Sequence, residues 1–156
     1  MDDVSEKVFI GVDPGANGAM AIIAPEGVQL IPCDYLKYDD AIKFTVLHHS
    51  EDIFAVVEDV HAMPMNGCKG NFMLGWSLGR IQHMLESLRI PHQLVKPQKW
   101  QKEYGISNKD KSKEQSIAAA KRLFPNVNLK RTERCTKDHD GFADALLIAE
   151  WGRRHG

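Results

Sequence analysis

Apolar residues along the chain fall into runs with the spacing of strands and runs with the spacing of helices. The first run, Val8 to Asp13, is apolar on both faces, as is typical of a central strand buried on two sides. Strands are also predicted at about 18–24 and 28–33, with a Pro-Glu-Gly turn at 25–27 between them. Short connections make these three strands an antiparallel meander, and Ile53 to Glu58 is predicted as a further, fully buried strand.

Segments with helical spacing follow the meander, and a short strand at His92 to Val95 interrupts them. Residues 63–71 resist regular structure, so we predict a loop there, with Asn71 as the amino-terminal cap of the next helix. This order of elements predicts an α/β fold with a mixed sheet flanked by helices, and a length of 156 residues fits one domain over 1–156. The predicted helices cover about 38–49, 72–88, 97–103, 111–124 and 140–153.

The long helix that ends near residue 88 has an apolar stripe that should face the sheet. Three large apolar residues, Met73, Trp76 and Met84, lie off that stripe. Two interpretations are open for them: additional core, or a surface that meets a partner, with Gly79 permitting a close approach. The stripe itself consists of Leu74, Leu78, Ile81, Leu85 and Leu88.

Carboxylates occur where two buried strands end and where the last helix begins. Asp13 and Glu58 each close a strand, and each needs a metal, a cation or hydrogen-bond donors to replace its lost hydration. Asp140 and Asp144 are four residues apart, so they share one helical face, and Asp144 lies in an apolar segment. A turn accounts for Asp13 alone and helix capping accounts for Asp140 alone, but neither accounts for Asp144. A helix cap at Asp140 combined with a buried hydrogen bond to Asp144 is the open alternative to a metal site.

These four carboxylates together predict a site for hard cations. Oxygen ligands without clustered cysteine or histidine favour Mg²⁺, with Mn²⁺ as a substitute. Two such cations in one site can clamp a phosphodiester, one activating water and the other stabilising the leaving oxygen. The leading hypothesis from the residues is metal-dependent hydrolysis of nucleic acid, with no small-molecule cofactor.

Charge is unevenly distributed along a chain whose net charge is only −1. Residues 1–60 hold 12 acidic and 3 basic residues, a net of −9, whereas residues 96–134 hold 11 basic and 4 acidic, a net of +7. Such asymmetry favours a polyanionic partner such as DNA, and a solvated helix face is the alternative. Six lysines are predicted to contact the DNA backbone: Lys96, Lys99, Lys102, Lys109, Lys111 and Lys113.

Composition argues against disulfide-bonded, zinc-binding, secreted and membrane-spanning proteins. Three widely spaced cysteines without a Cys-x-x-Cys pair are typical of reduced thiols rather than of disulfides or a zinc site. No apolar run approaches the ~20 residues of a membrane span, and the polar start does not have the pattern of a signal peptide. We therefore expect a cytoplasmic protein that does not enter a membrane.

Three motifs, taken in order, resemble those of the RuvC-type Holliday junction resolvases in the ribonuclease H-like superfamily. They are Ile-Gly-Val-Asp-Pro-Gly at 10–15, Val-Val-Glu-Asp-Val at 56–60 and Ala-Asp-Ala-Leu-Leu-Ile-Ala at 143–149. The resemblance implies a ribonuclease H-like fold with a five-stranded sheet, a homodimer, and paired symmetric nicks across a four-way DNA junction that leave 5′-phosphate and 3′-hydroxyl ends. It is most similar to bacteriophage-type members, which implies the cytoplasm of a host cell.

Site residues follow from the resemblance position by position. Asp13 matches the first-strand aspartate that both metals share, and Glu58 and Asp144 match the glutamate of the fourth strand and the carboxylate of the final helix. Family members place their fourth carboxylate three residues before the last, where this chain has Gly141. Asp140 keeps the same helical face and is assigned that role, with His139 as an auxiliary group.

Two further positions bear on DNA contact. Lys111, followed by Ser112, resembles the family's basic residue ahead of the penultimate helix, which implies a phosphate contact near the site. The aromatic residue that bacterial members carry three positions after the glutamate is replaced by His61, a second auxiliary candidate. This departure from the family pattern bears on how the junction is opened and on sequence preference, and the resemblance does not fix either for this chain.

Three other functions are open. A less selective nuclease for flaps and branched DNA would have much the same sequence. An ATPase-like protein could hold phosphate with the Asp-Pro-Gly turn at 13–15, but the chain has about half the usual length and no second phosphate loop. A non-catalytic junction-binding protein would not need Asp144 in an apolar helix.

Overall fold

The computed structural model describes residues 7–49, 52–107 and 109–156, which fold around a five-stranded sheet. The strand order is β3-β2-β1-β4-β5, with β1 central as its two apolar faces predicted. The first three strands form the predicted antiparallel meander, whereas β4 and β5 run parallel to β1, so the sheet is mixed. The strands are β1 Val8–Asp13, β2 Ala19–Ala24, β3 Gly27–Pro32, β4 Ile53–Glu58 and β5 His92–Val95.

The parallel pairing of β1 with β4 brings two predicted site residues to one edge of the sheet. Val12 is paired with Val57, so the residues that follow, Asp13 and Glu58, leave the sheet side by side. Carboxyl ends of adjacent parallel strands meet at one edge of a sheet, which is where α/β proteins usually place ligands. The register thus converts two separate sequence motifs into neighbours.

Helices cover both faces of the sheet. α1 and α2 pack on one face with the side chains of Val8, Ile10 and Val12, and α3, α4 and α5 enclose the core on the other. α1 begins earlier than predicted because the Asp34 carboxylate accepts hydrogen bonds from the amides of Leu36 and Lys37, at 3.0 and 3.1 Å. The helices are α1 Tyr35–His48, α2 Gly67–Ser87, α3 Pro97–Glu103, α4 Ser112–Leu123 and α5 Asp140–His155.

The predicted loop over 63–71 is wrong in its second half. A single 3₁₀ turn spans Pro64–Asn66, and α2 begins directly after it at Gly67. Asn71 lies inside the helix rather than at its cap, and its side-chain amide bonds both the N–H and the C=O of Met63, each at 3.0 Å. This bidentate contact ties the incoming chain to the first turns of α2. The glycines in these turns, Gly67 and Gly70, hide the start of the helix from prediction by sequence.

α2 is buried along only part of its length. Ile81 and Leu85 are fully buried, and Met84 is core as well, at 8 % exposure. Met73 and Trp76 keep 46 % and 45 % of their surface exposed, because this half of the helix extends beyond the sheet core. Of the three residues off the apolar stripe, Met84 therefore belongs to the core, whereas Met73 and Trp76 lie on the surface.

α5 lies directly against the centre of the sheet. A Cβ placed on Gly11 of β1 would stand 2.3 Å from both the carbonyl oxygen of Ala145 and the amide nitrogen of Ala149. Only glycine permits so close an approach of helix and strand backbones. This contact brings the start of α5 to the end of β1 and so carries Asp140 and Asp144 toward Asp13.

Within the described residues, no helix combines the length and the apolar character needed to cross a membrane.

Candidate active site

Asp13 is held by the turn that follows β1. Its carboxylate accepts a hydrogen bond from the amide of Gly15 at 3.1 Å, and the amide of Gly18 closes the turn on the carbonyl of Gly15 at 2.9 Å. A Cβ on Gly18 would stand 2.1 Å from the carbonyl oxygen of Asp13, so this tight turn requires glycine there. Burial raises the pKa of Asp13, with a smaller contribution from the charge of Asp140, although the Gly15 amide opposes the change.

Glu58 projects from the end of β4 and bonds a residue that the sequence did not indicate. The indole N–H of Trp100, in α3, donates to the Glu58 carboxylate at 2.8 Å. Burial, followed by the charge of Asp13, raises the pKa of Glu58 to about 8, and the indole bond opposes this change. Trp100 is itself fully buried, so it fixes the orientation of Glu58 from within the core.

Asp144 lies one turn into α5, and one of its carboxylate oxygens lacks a hydrogen-bond partner in the described part of the chain. Burial, and then the charges of Asp13 and Asp140, raise the pKa of Asp144 to about 7, while a hydrogen bond from Ser116 and the charge of Lys113 oppose the change. Its Oδ1 atom is buried and has no hydrogen-bond partner among the described residues. A buried carboxylate oxygen without a partner is costly unless a cation completes its surroundings.

The start of α5 supplies the fourth carboxylate and the auxiliary histidine. His139 caps the helix, since its Nδ1 accepts the amide of Phe142 at 3.1 Å, and burial lowers the pKa of its imidazole. Asp140 is in the first helical turn, about one third exposed, with the ammonium of Lys113 at 3.8 Å from its carboxylate. His139 thus has a helix-capping role through Nδ1, which leaves Nε2 as its other ring nitrogen.

Steric exclusion explains why the carboxylate stands at position 140. A Cβ on Gly141, three residues before Asp144, would come 2.3 Å from the carbonyl oxygen of Asn17. The turn between β1 and β2 therefore packs on the helix at this point and leaves no room for a side chain. Asp140, one position earlier, is free of this obstruction.

The four carboxylates act on one another electrostatically, and hydrogen-bond donors hold two of them. The amide of Gly15 bonds Asp13, and the indole of Trp100 bonds Glu58. In the part of the chain that the structure describes, no three His, Cys, Asp or Glu groups converge closely enough to form a metal cluster as they stand. The donor chemistry nevertheless fits a hard divalent cation, because all four groups offer oxygen, their charges repel, and Asp144 Oδ1 lacks a partner.

The six predicted DNA-contacting lysines are all exposed, but they occupy different positions relative to the carboxylates. Lys109 and Lys111 lie in a 3₁₀ turn, Lys109–Lys111, immediately before α4, and Lys113 adjoins Asp140. Lys96 precedes α3 and Lys102 is near its end, whereas Lys99 stands over the ring of Trp151, 5.4 Å from its centroid. His61 is exposed in the segment after β4.

Trp100 and Ser116 are the site residues that sequence reasoning missed. Both are buried helical residues outside the motifs: Trp100 bonds Glu58 directly, and the hydroxyl of Ser116 opposes the rise in the pKa of Asp144. The only available signal was an indole and a hydroxyl on otherwise apolar helical faces, since buried polar groups need partners.

Comparisons with known proteins identify the fold. No protein-family model and no curated protein sequence matches the chain. Among solved structures, RuvC of Thermus thermophilus in complex with a Holliday junction substrate is 17 % identical, with a TM-score of 0.62 and 96 % of each chain covered. Another structure of Thermus thermophilus RuvC is 21 % identical, with a TM-score of 0.56 over 91 % of this chain and 90 % of that one. The chain therefore has the ribonuclease H-like fold of RuvC.

Proposed function

We propose that this protein is a metal-dependent endonuclease that resolves four-way DNA junctions. The observation that carries the proposal is the buried Oδ1 of Asp144, which has no hydrogen-bond partner among the described residues and feels the charges of Asp13 and Asp140. The likeness to RuvC bound to a Holliday junction supports the substrate class, because the two chains match over nearly their whole lengths.

Asp13, Glu58, Asp140 and Asp144 are the residues that would hold the metal. Two Mg²⁺ ions, or Mn²⁺ in their place, would supply an activated water and neutralise the charge that develops on the leaving oxygen. The chain's own contribution is orientation, since Gly15 and Trp100 hold Asp13 and Glu58 in place before a substrate arrives. Cleavage of this class leaves a 5′-phosphate and a 3′-hydroxyl.

Cations around the site complete the substrate contact. Lys113 is positioned to hold a phosphate beside Asp140, with Lys109 and Lys111 on the approach to α4. Lys96, Lys99 and Lys102 are proposed to contact the backbone of a DNA arm, since exposed ammonium groups release condensed counterions when they bind phosphate. We propose that these contacts position the junction, while the carboxylates perform the chemistry.

A homodimer is the assembly that this function requires. Each chain carries one carboxylate site, whereas resolution of a junction needs two nicks on opposed strands, so two chains related by a two-fold axis are needed. The exposed part of α2 is the proposed interface, because Phe72, Met73 and Trp76 keep 73 %, 46 % and 45 % of their surface exposed. We propose that the dimer works in the cytoplasm, in a host cell if the protein is of phage type.

A less selective nuclease for flaps and branched DNA is the second candidate. The observation that favours it is His61, an exposed imidazole where bacterial RuvC-type enzymes carry an aromatic residue. Such an enzyme would use the same carboxylates but would not need two coupled sites.

A substrate panel separates the two candidates. A mobile four-way junction, a flap and a fork of matched sequence are each incubated with the protein and Mg²⁺, and the cut strands are mapped. A resolvase cuts the junction at symmetric positions at least ten times faster than the flap or the fork. Equal cutting of all three substrates would establish the less selective nuclease, and no cutting of any would contradict both candidates.

A further inference from the structure

A loop of basic residues outside the predicted set of DNA-contacting lysines stands next to the start of α5. We call residues 130–138 the basic loop, since Lys130 and Asp138 pair across its base in an antiparallel bridge. Its sequence, Lys-Arg-Thr-Glu-Arg-Cys-Thr-Lys-Asp, holds four cationic side chains in nine positions. These four cations lie close together along a short segment of the chain.

The base of the basic loop is anchored in the protein. Leu129, just before it, is 2 % exposed and belongs to the core, and its carbonyl accepts the amide of His139, just after it, at 2.8 Å. Lys121 of α4 pairs with the Asp138 carboxylate at 2.5 Å. Both ends of the loop are therefore fixed relative to α4 and α5.

The tip of the basic loop also has a defined conformation. The amide of Cys135 donates to the carbonyl of Thr132 at 3.1 Å, which closes a turn, and the two side chains contact each other at 3.2 Å. A fixed turn presents cations at fixed spacing, which lowers the entropy lost when they bind a ligand.

The cations of the basic loop outnumber its two carboxylates, Glu133 and Asp138, so the loop has a net charge of +2. Lys130, Arg131, Arg134 and Lys137 are all exposed, and none of their side chains forms a salt bridge with a described residue. The loop's aspartate, Asp138, is already paired with Lys121 from outside it. Like charges held this close repel one another, and a bound polyanion would remove that repulsion.

The basic loop lies beside the carboxylate site. Arg131 lines a cleft together with Phe142 of the first turn of α5 and with Val28 and Leu30 of β3. Its charge also reaches His139, the cap of α5. A DNA strand whose phosphate lies at Asp140 and Lys113 would therefore have its neighbouring phosphates within the field of this loop.

We propose that the basic loop is a DNA-contacting element in which Arg131, Arg134 and Lys137 bind successive phosphates of the strand beside the carboxylate site. The inference rests on the proposed nuclease function, and it assigns that function a contact surface in addition to the six lysines. Several cations spread over an anchored turn match the repeated phosphates of a nucleic-acid backbone rather than a single small anion, and arginine forks bind phosphate through two hydrogen bonds.

The test compares charge removal at the basic loop with equal charge removal on the opposite face of the sheet. The loop variant is Arg131→Gln/Arg134→Gln/Lys137→Gln, and the control is Lys37→Gln/Lys43→Gln/Arg89→Gln. A third variant, Arg131→Lys/Arg134→Lys/Lys137→Arg, keeps the charge. Binding to a fluorescent four-way junction and to a linear duplex is measured from 50 to 300 mM salt in EDTA, and junction cleavage is measured with Mg²⁺.

The loop variant should lower the slope of log K against log salt by about two to three and weaken junction binding at least about 10-fold at 150 mM salt. The control variant should change the slope by less than one, and the charge-preserving variant should retain the wild-type slope. A loop variant that binds like the control would overturn the proposal. All substituted side chains of the loop are exposed, so loss of folding is not expected, and thermal melting checks it.

The two proposals fail in distinguishable ways. If the wild-type protein cuts junctions and the loop variant binds them normally, the basic loop proposal fails and the nuclease function stands. If wild-type binding to DNA depends on the loop but no junction is cut, the nuclease function fails and the loop remains a DNA contact. A wild-type protein that binds neither the four-way junction nor the linear duplex would contradict both the nuclease function and the basic loop proposal.

Discussion

Asp144 places a carboxyl group within the apolar segment 142–149 of α5. Its Oδ1 has no partner among the described residues, and its pKa is raised to about 7 by burial and by neighbouring carboxylates. Glu58 is in a similar position, with a pKa raised to about 8, although Trp100 supplies one donor. Perturbed carboxylates that repel each other usually mark functional sites, since the fold alone gains nothing from them.

Substitution of Asp144 tests the role of its charge. Asp144→Asn should reduce junction cleavage with Mg²⁺ by at least about 1,000-fold, because one oxygen ligand and its charge are lost from the proposed metal site. Junction binding in EDTA should stay within about 3-fold of wild type, since phosphate contacts provide most of the affinity. Single-turnover cleavage and fluorescence anisotropy measure the two effects, and cleavage near the wild-type rate would remove Asp144 from the catalytic set.

The raised pKa values also predict how stability depends on pH without metal. Glu58 and Asp144 have folded pKa values of about 8 and 7, above their ordinary values of 4.5 and 3.8, so the folded state retains protons that the unfolded state releases. Their contribution to stability is fully present below about pH 4 and is lost as the pH rises to about 8. His139, whose pKa is lowered, has the opposite sign and offsets part of this loss.

Thermal unfolding in EDTA from pH 5 to pH 8.5 measures this dependence. Across this range the melting temperature of the wild-type protein should fall more than that of Asp144→Asn. The corresponding change in the difference between their free energies of unfolding should be on the order of a few kcal/mol. Mg²⁺ should restore the wild-type protein at pH 8 and leave the variant nearly unchanged. Parallel pH profiles for the two proteins would show that the Asp144 carboxyl is not held in its neutral form.

At the scale of elements, the contact of α5 with β1 builds the site. All five strands could be predicted from the sequence. The mostly buried strands β1, β2 and β4 leave continuous apolar runs, whereas β3 and β5 are partly exposed and mix polar with apolar residues. The start of α2 could not be predicted, because Gly67 and Gly70 lower helix propensity while the bond from Asn71 to Met63, which stabilises the turn, connects residues eight positions apart. The sequence also singles out Asp13, Glu58, Asp140 and Asp144 as candidate site residues, from two strand ends and one helix start. In contrast, Trp100 is placed beside Glu58 by tertiary packing alone.

Gly11 provides a direct test of the helix–strand contact. Gly11→Ala would force a Cβ to within 2.3 Å of the backbone of α5 at Ala145 and Ala149, so the helix must shift. We expect a loss of at least about 3 kcal/mol in the free energy of unfolding, measured by urea denaturation. Gly75→Ala is the matched control, since open space surrounds this helical position and the change should stabilise the protein by ~0.5–1 kcal/mol. Equal stability of the two variants would contradict the close approach.

Resolution of a four-way junction by this protein would require two copies of the chain, and the exposed part of α2 offers a surface for their contact. Apolar side chains along the exposed part of α2 have no cover within the described residues, and Tyr35 and Arg80 border them through contacts with the ring of Trp76. An exposed apolar strip with an aromatic centre and an arginine neighbour has the composition of a protein interface.

Loss of this strip should separate the proposed dimer. Met73→Ser/Trp76→Ser should sediment as a monomer at micromolar concentration, where the wild-type protein sediments as a dimer, and should nick only one strand of a junction. Leu36→Ser/Leu47→Ser is the control, because these residues of α1 are also exposed, at 74 % and 79 %, but lie outside the strip. A dimer that persists in the Met73 and Trp76 variant would exclude this part of α2 as the interface.

Cleavage of a supercoiled plasmid that extrudes a cruciform tests directly whether the protein resolves four-way junctions by paired nicks. Two coupled nicks across the four-way junction at the cruciform base convert the plasmid to a linear form in one binding event, whereas unpaired nicks yield an open circle. With Mg²⁺ the wild-type protein should produce linear DNA from the start of the reaction, and Asp144→Asn should leave the plasmid supercoiled. Open circles without linear product, or equal cutting of a plasmid that lacks the cruciform, would contradict the assignment as a junction resolvase.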